Sequence, residues 1–79
     1  MTDLYADFNR EDKQEICNLL AVTLKATRNC YDIVGIEYEK TREREVAIVS
    51  FEGGTKRVIN VALDSGTAMI RDIMKHLGC

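Results

Sequence analysis

"EREVAIVSFEGGTKRVINVAL", residues 43–63, decides the fold. Two aliphatic, β-rich runs flank Gly53-Gly54, and a glycine pair between such runs is a strong hairpin signal. A two-residue turn at Gly53-Gly54 would pair Glu52 with Thr55, and hence Val49 with Val58, Ile48 with Ile59 and Val46 with Val61. One face then carries Val46, Ile48, Ile59, Val61 and Leu63, the bulkiest aliphatics, and is expected to receive the helices. The other face carries Ala47, Val49, Phe51, Lys56, Val58, Asn60 and Ala62.

Upstream, "YDIVGIEYEK" (31–40) reads as a further strand, joined to the hairpin through the glycine-free "KTRER". Before it, "NREDKQEICNLLAVTLKAT" (9–27) has helical spacing of Ile16, Cys17, Leu20, Ala21, Val22 and Leu24. Asn9 can cap that helix, with Asp12 at its third position, and an acidic first turn suits the helix dipole. Downstream, Asp64 or Ser65 can cap a helix whose stripe is Met69, Ile70, Ile73, Met74 and Leu77. Gly78 stands where its C-terminal cap belongs. The expected fold is therefore a single α+β domain over 1–79, in the order α-β-β-β-α. Its three-stranded antiparallel meander carries both helices on one face. Residues 1–8 read as a loose arm or a helix extension.

At 79 residues the chain has room for one core and little surplus for a deep pocket. Eleven Lys and Arg stand against thirteen Asp and Glu, a net charge of −2, so no global basic field points to nucleic acid or an anionic membrane. Cys17, Cys30 and Cys79 form no CxxC pair, and no apolar run reaches membrane-spanning length. Free thiols in a cytoplasmic protein are the expectation.

Asp64-Ser65-Gly66-Thr67 stands at a strand-to-helix junction, where phosphate sites are often built. Asp64 opposes that use, because its carboxylate already lies beside the N–H groups an anion would need; a helix cap is the expected role. His76 and Cys79 lack the close ligand knuckles of structural zinc sites, so no metal and no cofactor is expected. Ser65, His76 and Asp64 lie too close on one helix to converge as nucleophile, base and orienter, so no enzyme is expected either.

What remains is surface. Val49, Phe51, Lys56 and Val58 on the open sheet face form the expected partner-binding site, for a host protein or for a second copy in a homodimer. Cover by the N-terminal arm is the alternative. Asp3, Asp7, Glu11 and Asp12 read either as steering groups toward a basic partner, in the manner of a nucleic-acid mimic, or as a solvated helix start. Nucleic-acid binding through Lys40, Arg42, Arg44, Lys56 and Arg57 is the other reading, with Glu39, Glu43 and Glu45 offsetting most of that charge.

Two resemblances add to this. The α-β-β-β-α order over residues 9–77 resembles, in topology, the double-stranded-RNA-binding domain. At the family's lysine-rich start of the last helix this chain has Asp64-Ser65-Gly66-Thr67, and at its histidine-bearing loop "EKTRERE"; both depart from the family's pattern, so its RNA-binding function is not carried over. "NVALDSGTAMIRDIMKHL" resembles the C-terminal segment of small phage and mobile-element accessory proteins, through Asp64, Ser65, Gly66, Ala68, Met69, Ile70, Asp72 and Ile73. That resemblance implies a non-enzymatic factor that binds and inhibits host machinery, such as a CRISPR-type defence effector.

Overall fold

A computed structural model describes residues 12–78. Two helices and three strands follow one another as α1 (Lys13–Lys25), β1 (Ile33–Lys40), β2 (Glu45–Phe51), β3 (Lys56–Asn60) and α2 (Gly66–Leu77). The strands form one antiparallel sheet in the order β1-β2-β3, so the α+β meander read from the sequence is the fold.

Each helix starts where a short polar side chain satisfies an orphan N–H group. Asp12 Oδ1 accepts the Glu15 N–H at 3.0 Å, so α1 begins at Lys13; Asn9, the cap expected from the sequence, lies outside the described residues. Ser65 caps α2 by accepting the Ala68 N–H at 3.2 Å, and Gly78 closes it in the left-handed conformation at φ +76°. Among the described residues no helix is long and apolar enough to cross a membrane.

The β2–β3 hairpin differs from expectation by one residue. Phe51 N–H donates to Thr55 O at 2.9 Å, and Gly54 N–H closes on Phe51 O at 2.9 Å. The loop is therefore Glu52-Gly53-Gly54, three residues long, and of its glycines only Gly54 has positive φ, at +88°. That is the geometry of a turn followed by one left-handed glycine, whereas the two-residue type I′ turn needs positive φ at both central residues. The pairing becomes Ala47 with Ile59, Ile48 with Val58 and Val49 with Arg57.

A one-residue slip exchanges the faces of one strand relative to its neighbour. The helices cover Ala47, Val49, Ile59 and Val61, which join Ile33, Ile36, Cys17, Leu24, Met69 and Ile73 in one buried core. Ile48 and Leu63, expected beneath the helices, are not part of that core, and Val46 is buried without joining the cluster. Val58, by contrast, is 54% exposed on the opposite face of the sheet.

This register is testable. Val49→Asp places a carboxylate in the core and is expected to prevent folding, since an unpaired buried charge costs several kcal/mol against a domain stability of about 5–15 kcal/mol. Val58→Asp leaves a cooperative thermal transition followed by circular dichroism. A Val49→Asp variant that folds as cooperatively as Val58→Asp would restore the two-residue turn, which places both residues on the open face.

Candidate functional site

Charged side chains converge where α1 begins, β2 begins and the β3–α2 turn passes between them. Glu45, the first residue of β2, is only 8% exposed. Its Oε2 accepts from Lys13 Nζ at 2.7 Å and from the Tyr38 hydroxyl of β1, and its carboxylate also accepts the Leu63 backbone N–H. Lys13 Nζ donates in addition to the Asp64 carbonyl at 2.6 Å and lies 5.6 Å from the centre of the Tyr38 ring. Four segments distant in sequence meet at one carboxylate.

The electrostatics follow from those contacts. The Lys13 ammonium, then the Tyr38 hydroxyl, hold the Glu45 carboxyl down at about 2 against the penalty of burial. Burial first, and then the negative acceptor Glu45, push the Tyr38 hydroxyl up to about 12. Neither group titrates near neutrality, so neither is poised as a general acid or base. Burial also raises the Cys17 thiol, which keeps it protonated and unreactive.

Of the two expected caps of α2, the structure uses Ser65 and leaves Asp64 another role. The Asp64 carboxyl lies beside that of Asp72 on α2. Two carboxyls approach favourably only with a proton between them, so this contact, reinforced by burial, raises the Asp64 pKa. Its Oδ2 is buried without a hydrogen-bond partner.

The turn itself is strained. Leu63 has φ +65°, the one positive-φ residue other than glycine among the described residues, and its side chain is 99% exposed. The left-handed conformation costs a residue with a Cβ about 1–2 kcal/mol. It persists because its neighbours are fixed: Glu45 takes the Leu63 N–H, Lys13 takes the Asp64 carbonyl, and Asp64 N–H returns to Val61 O at 3.1 Å. A leucine that packs against none of the described residues is thus held in a fixed position.

The other sequence-derived site residues separate. Val49 is completely buried and Phe51 packs half-buried against the same core; the slipped register moves both off the open face, and Phe51 lines a hollow beside Lys56 instead. Lys56 and Val58 are exposed. Asp12 is the α1 cap, while Asp3, Asp7 and Glu11 lie outside the described residues. The basic edge is partly engaged, with Arg57 Nη1 on the His76 carbonyl at 2.7 Å and Arg44 on Glu39 at 3.3 Å. Among the described residues no group of three or more His, Cys, Asp and Glu side chains is placed to hold a metal. Two hollows, of about 460 and 310 Å³, are lined by none of Lys13, Tyr38, Glu45 and Asp64.

Removing one partner of a buried ion pair leaves the other uncompensated, so Glu45→Ala is expected to cost about 3 kcal/mol in urea unfolding at pH 7. The depressed Glu45 carboxyl contributes stability above its unfolded pKa that is lost as pH falls toward about 2. The raised Asp64 has the opposite sign, favouring the fold while protonated and penalising it once pH passes its folded pKa. Asp64→Asn, which keeps the shape without the charge, should therefore stabilise by about 1 kcal/mol at pH 7 and change little at pH 3. Equal effects of that substitution at both pH values would dissociate Asp64 from Asp72.

No family model matches the chain, and neither a curated protein nor a solved structure is similar to it.

Proposed function

We propose that this protein is a non-catalytic binding module that docks on a partner protein, with Leu63 as its anchor. The observation that carries the reading is the pairing of strain and exposure at that residue: φ +65° and 99% exposed. Glycine or asparagine would occupy the same backbone position with less strain. Burying a leucine in a partner's apolar pocket is worth about 1.5–3 kcal/mol, and because the Lys13–Glu45 pair already holds the turn, little ordering entropy is lost on contact. Strained backbone kept in place by a buried network is characteristic of ligand clamps and docking loops.

The other chemistry supports the same class. Glu45 and Tyr38 are paired inward, and their pKa values, about 2 and about 12, lie far from neutrality. Lys56 and Val58, exposed on β3, remain candidates for a second contact. The resemblance of residues 60–77 to phage and mobile-element accessory proteins makes host machinery, CRISPR-type effectors included, the first class of partner to examine.

Leu63→Gly separates binding from folding. The variant is expected to gain about 1 kcal/mol of stability from relief of the left-handed strain, while losing any partner that the unaltered protein retains from nuclease-treated bacterial lysate. Undiminished retention by Leu63→Gly, or no protein retained by either bait, refutes the anchor.

A further inference from the structure

We propose that the groove between α1 and edge strand β1 binds an extended polypeptide segment of a partner protein, which adds to the sheet beside β1. This site lies on a different surface from Leu63 and is independent of the anchor reading. β1 is an edge of the sheet, and an edge strand presents backbone N–H and C=O groups as a template for another chain. Here part of that template is already occupied by a side chain. Gln14 of α1 accepts the Tyr38 N–H on its Oε1 at 2.8 Å and donates Nε2 to the Ile36 carbonyl at 3.3 Å. A carboxamide is a peptide group in miniature. The pair it makes, to residues on either side of Glu37, is the pair one residue of a parallel neighbouring strand would make. Gln14 therefore marks the path and hydrogen-bond chemistry of an added strand.

Beyond Gln14 the groove continues toward the C-terminal end of α1, with a volume of about 460 Å³, within the usual range of about 300–1,000 Å³ for ligand clefts. Val22 and Val34 form its apolar lips and are 69% and 60% exposed. Ala21 also lines it, and Gly35 leaves its wall open, since a Cβ built there meets nothing within 4 Å. The register shift between Ile33 and Gly35 interrupts β1 at this point, which re-aims the local backbone. Lys25 lies at one end of the groove and Glu37 at the other. The fitting occupant is thus an extended segment with an apolar side chain over Val22 and Val34, an acidic residue toward Lys25 and a basic one toward Glu37.

The test uses the whole protein and a random twelve-residue peptide library displayed on phage, with the strongest binder synthesised for measurement. The expected peptide moves the backbone amide resonances of Val34 to Tyr38. N-methylation of its alternate amides weakens it by about tenfold per lost hydrogen bond. Gly35→Trp, whose Cβ meets nothing within 4 Å and whose ring would project into the groove, and Val22→Glu on the lip each abolish binding while the thermal transition persists. Gln14→Ala strengthens binding severalfold, because no resident amide must be displaced; a side-chain contact from Gln14 would instead produce a loss. Leu63→Gly leaves peptide affinity unchanged, so failure here and failure of the anchor are distinct. Selection of no peptide that depends on Gly35 and Val22, or indifference to N-methylation, overturns the proposal. So does a peptide-free dimer by ultracentrifugation that protects the same amides, which assigns the edge to a second copy.

Discussion

The Lys13–Glu45 ion pair is the contact on which the arrangement depends. Both partners are largely out of water, with side-chain exposures of 17% and 10%. Burying such a pair gains little net stability over a well-packed apolar pair, because desolvation of two charges offsets most of the attraction. Its effect is geometric. A carboxylate that accepts from Lys13, Tyr38 and the Leu63 backbone admits one arrangement of α1, β1, β2 and the β3–α2 turn. The Asp12 cap reinforces this by ending α1 one residue before Lys13, so that the lysine is in the first turn and beside the sheet. An apolar replacement would fill the space, but it would accept no N–H from Leu63 and give no donor to the Asp64 carbonyl.

How far the fold could be read in the residues follows from which signals are local. Element order, the Ser65 and Gly78 caps and the stripe of Met69 and Ile73 are written in neighbouring positions, and the structure has them all. Loop length at Gly53-Gly54 is different, because glycine at both positions fits a two-residue turn and equally a three-residue turn ending in left-handed Gly54. Hydrophobic pattern does not break that tie. β2 reads Val46-Ala47-Ile48-Val49, apolar on both faces, so either face could be assigned to the core. Choosing the bulkier set favoured Ile48, whereas the helices lie over Ala47 and Val49.

The site was hidden for a related reason. Lys13, Tyr38, Glu45 and Leu63 come from four separate segments, and their meeting depends on tertiary placement that no spacing motif encodes. Glu45 also reads as one more charge in "EKTRERE", and Leu63 as the last aliphatic of a strand. β3 instead ends at Asn60, whose side chain accepts the Ala62 N–H at 2.9 Å and turns the chain out of the sheet. An Asx-type bond of this kind is a legible turn signal, and Asn60 was the residue that could have shown Leu63 leaving the sheet.

Strain, exposure and burial are thus connected in one direction. The fold buries a charged cluster, which is costly unless every member is satisfied; Glu45 takes part of its satisfaction from the backbone N–H of Leu63, the residue held in the left-handed conformation. A core evolved for stability alone would remove the charge, the strain and the exposed leucine together. Asp64, adjacent in the chain, carries the same signature, with a buried oxygen lacking a partner and a carboxyl facing another carboxyl. Two consecutive residues at one turn therefore oppose the stability of the isolated chain. Both are stabilised by the same lysine–glutamate pair, through the Leu63 N–H and the Asp64 carbonyl. The proposed docking role of Leu63 would give that concentration of unfavourable features a use, since it is the turn, and not the fold that presents it, that such a role requires.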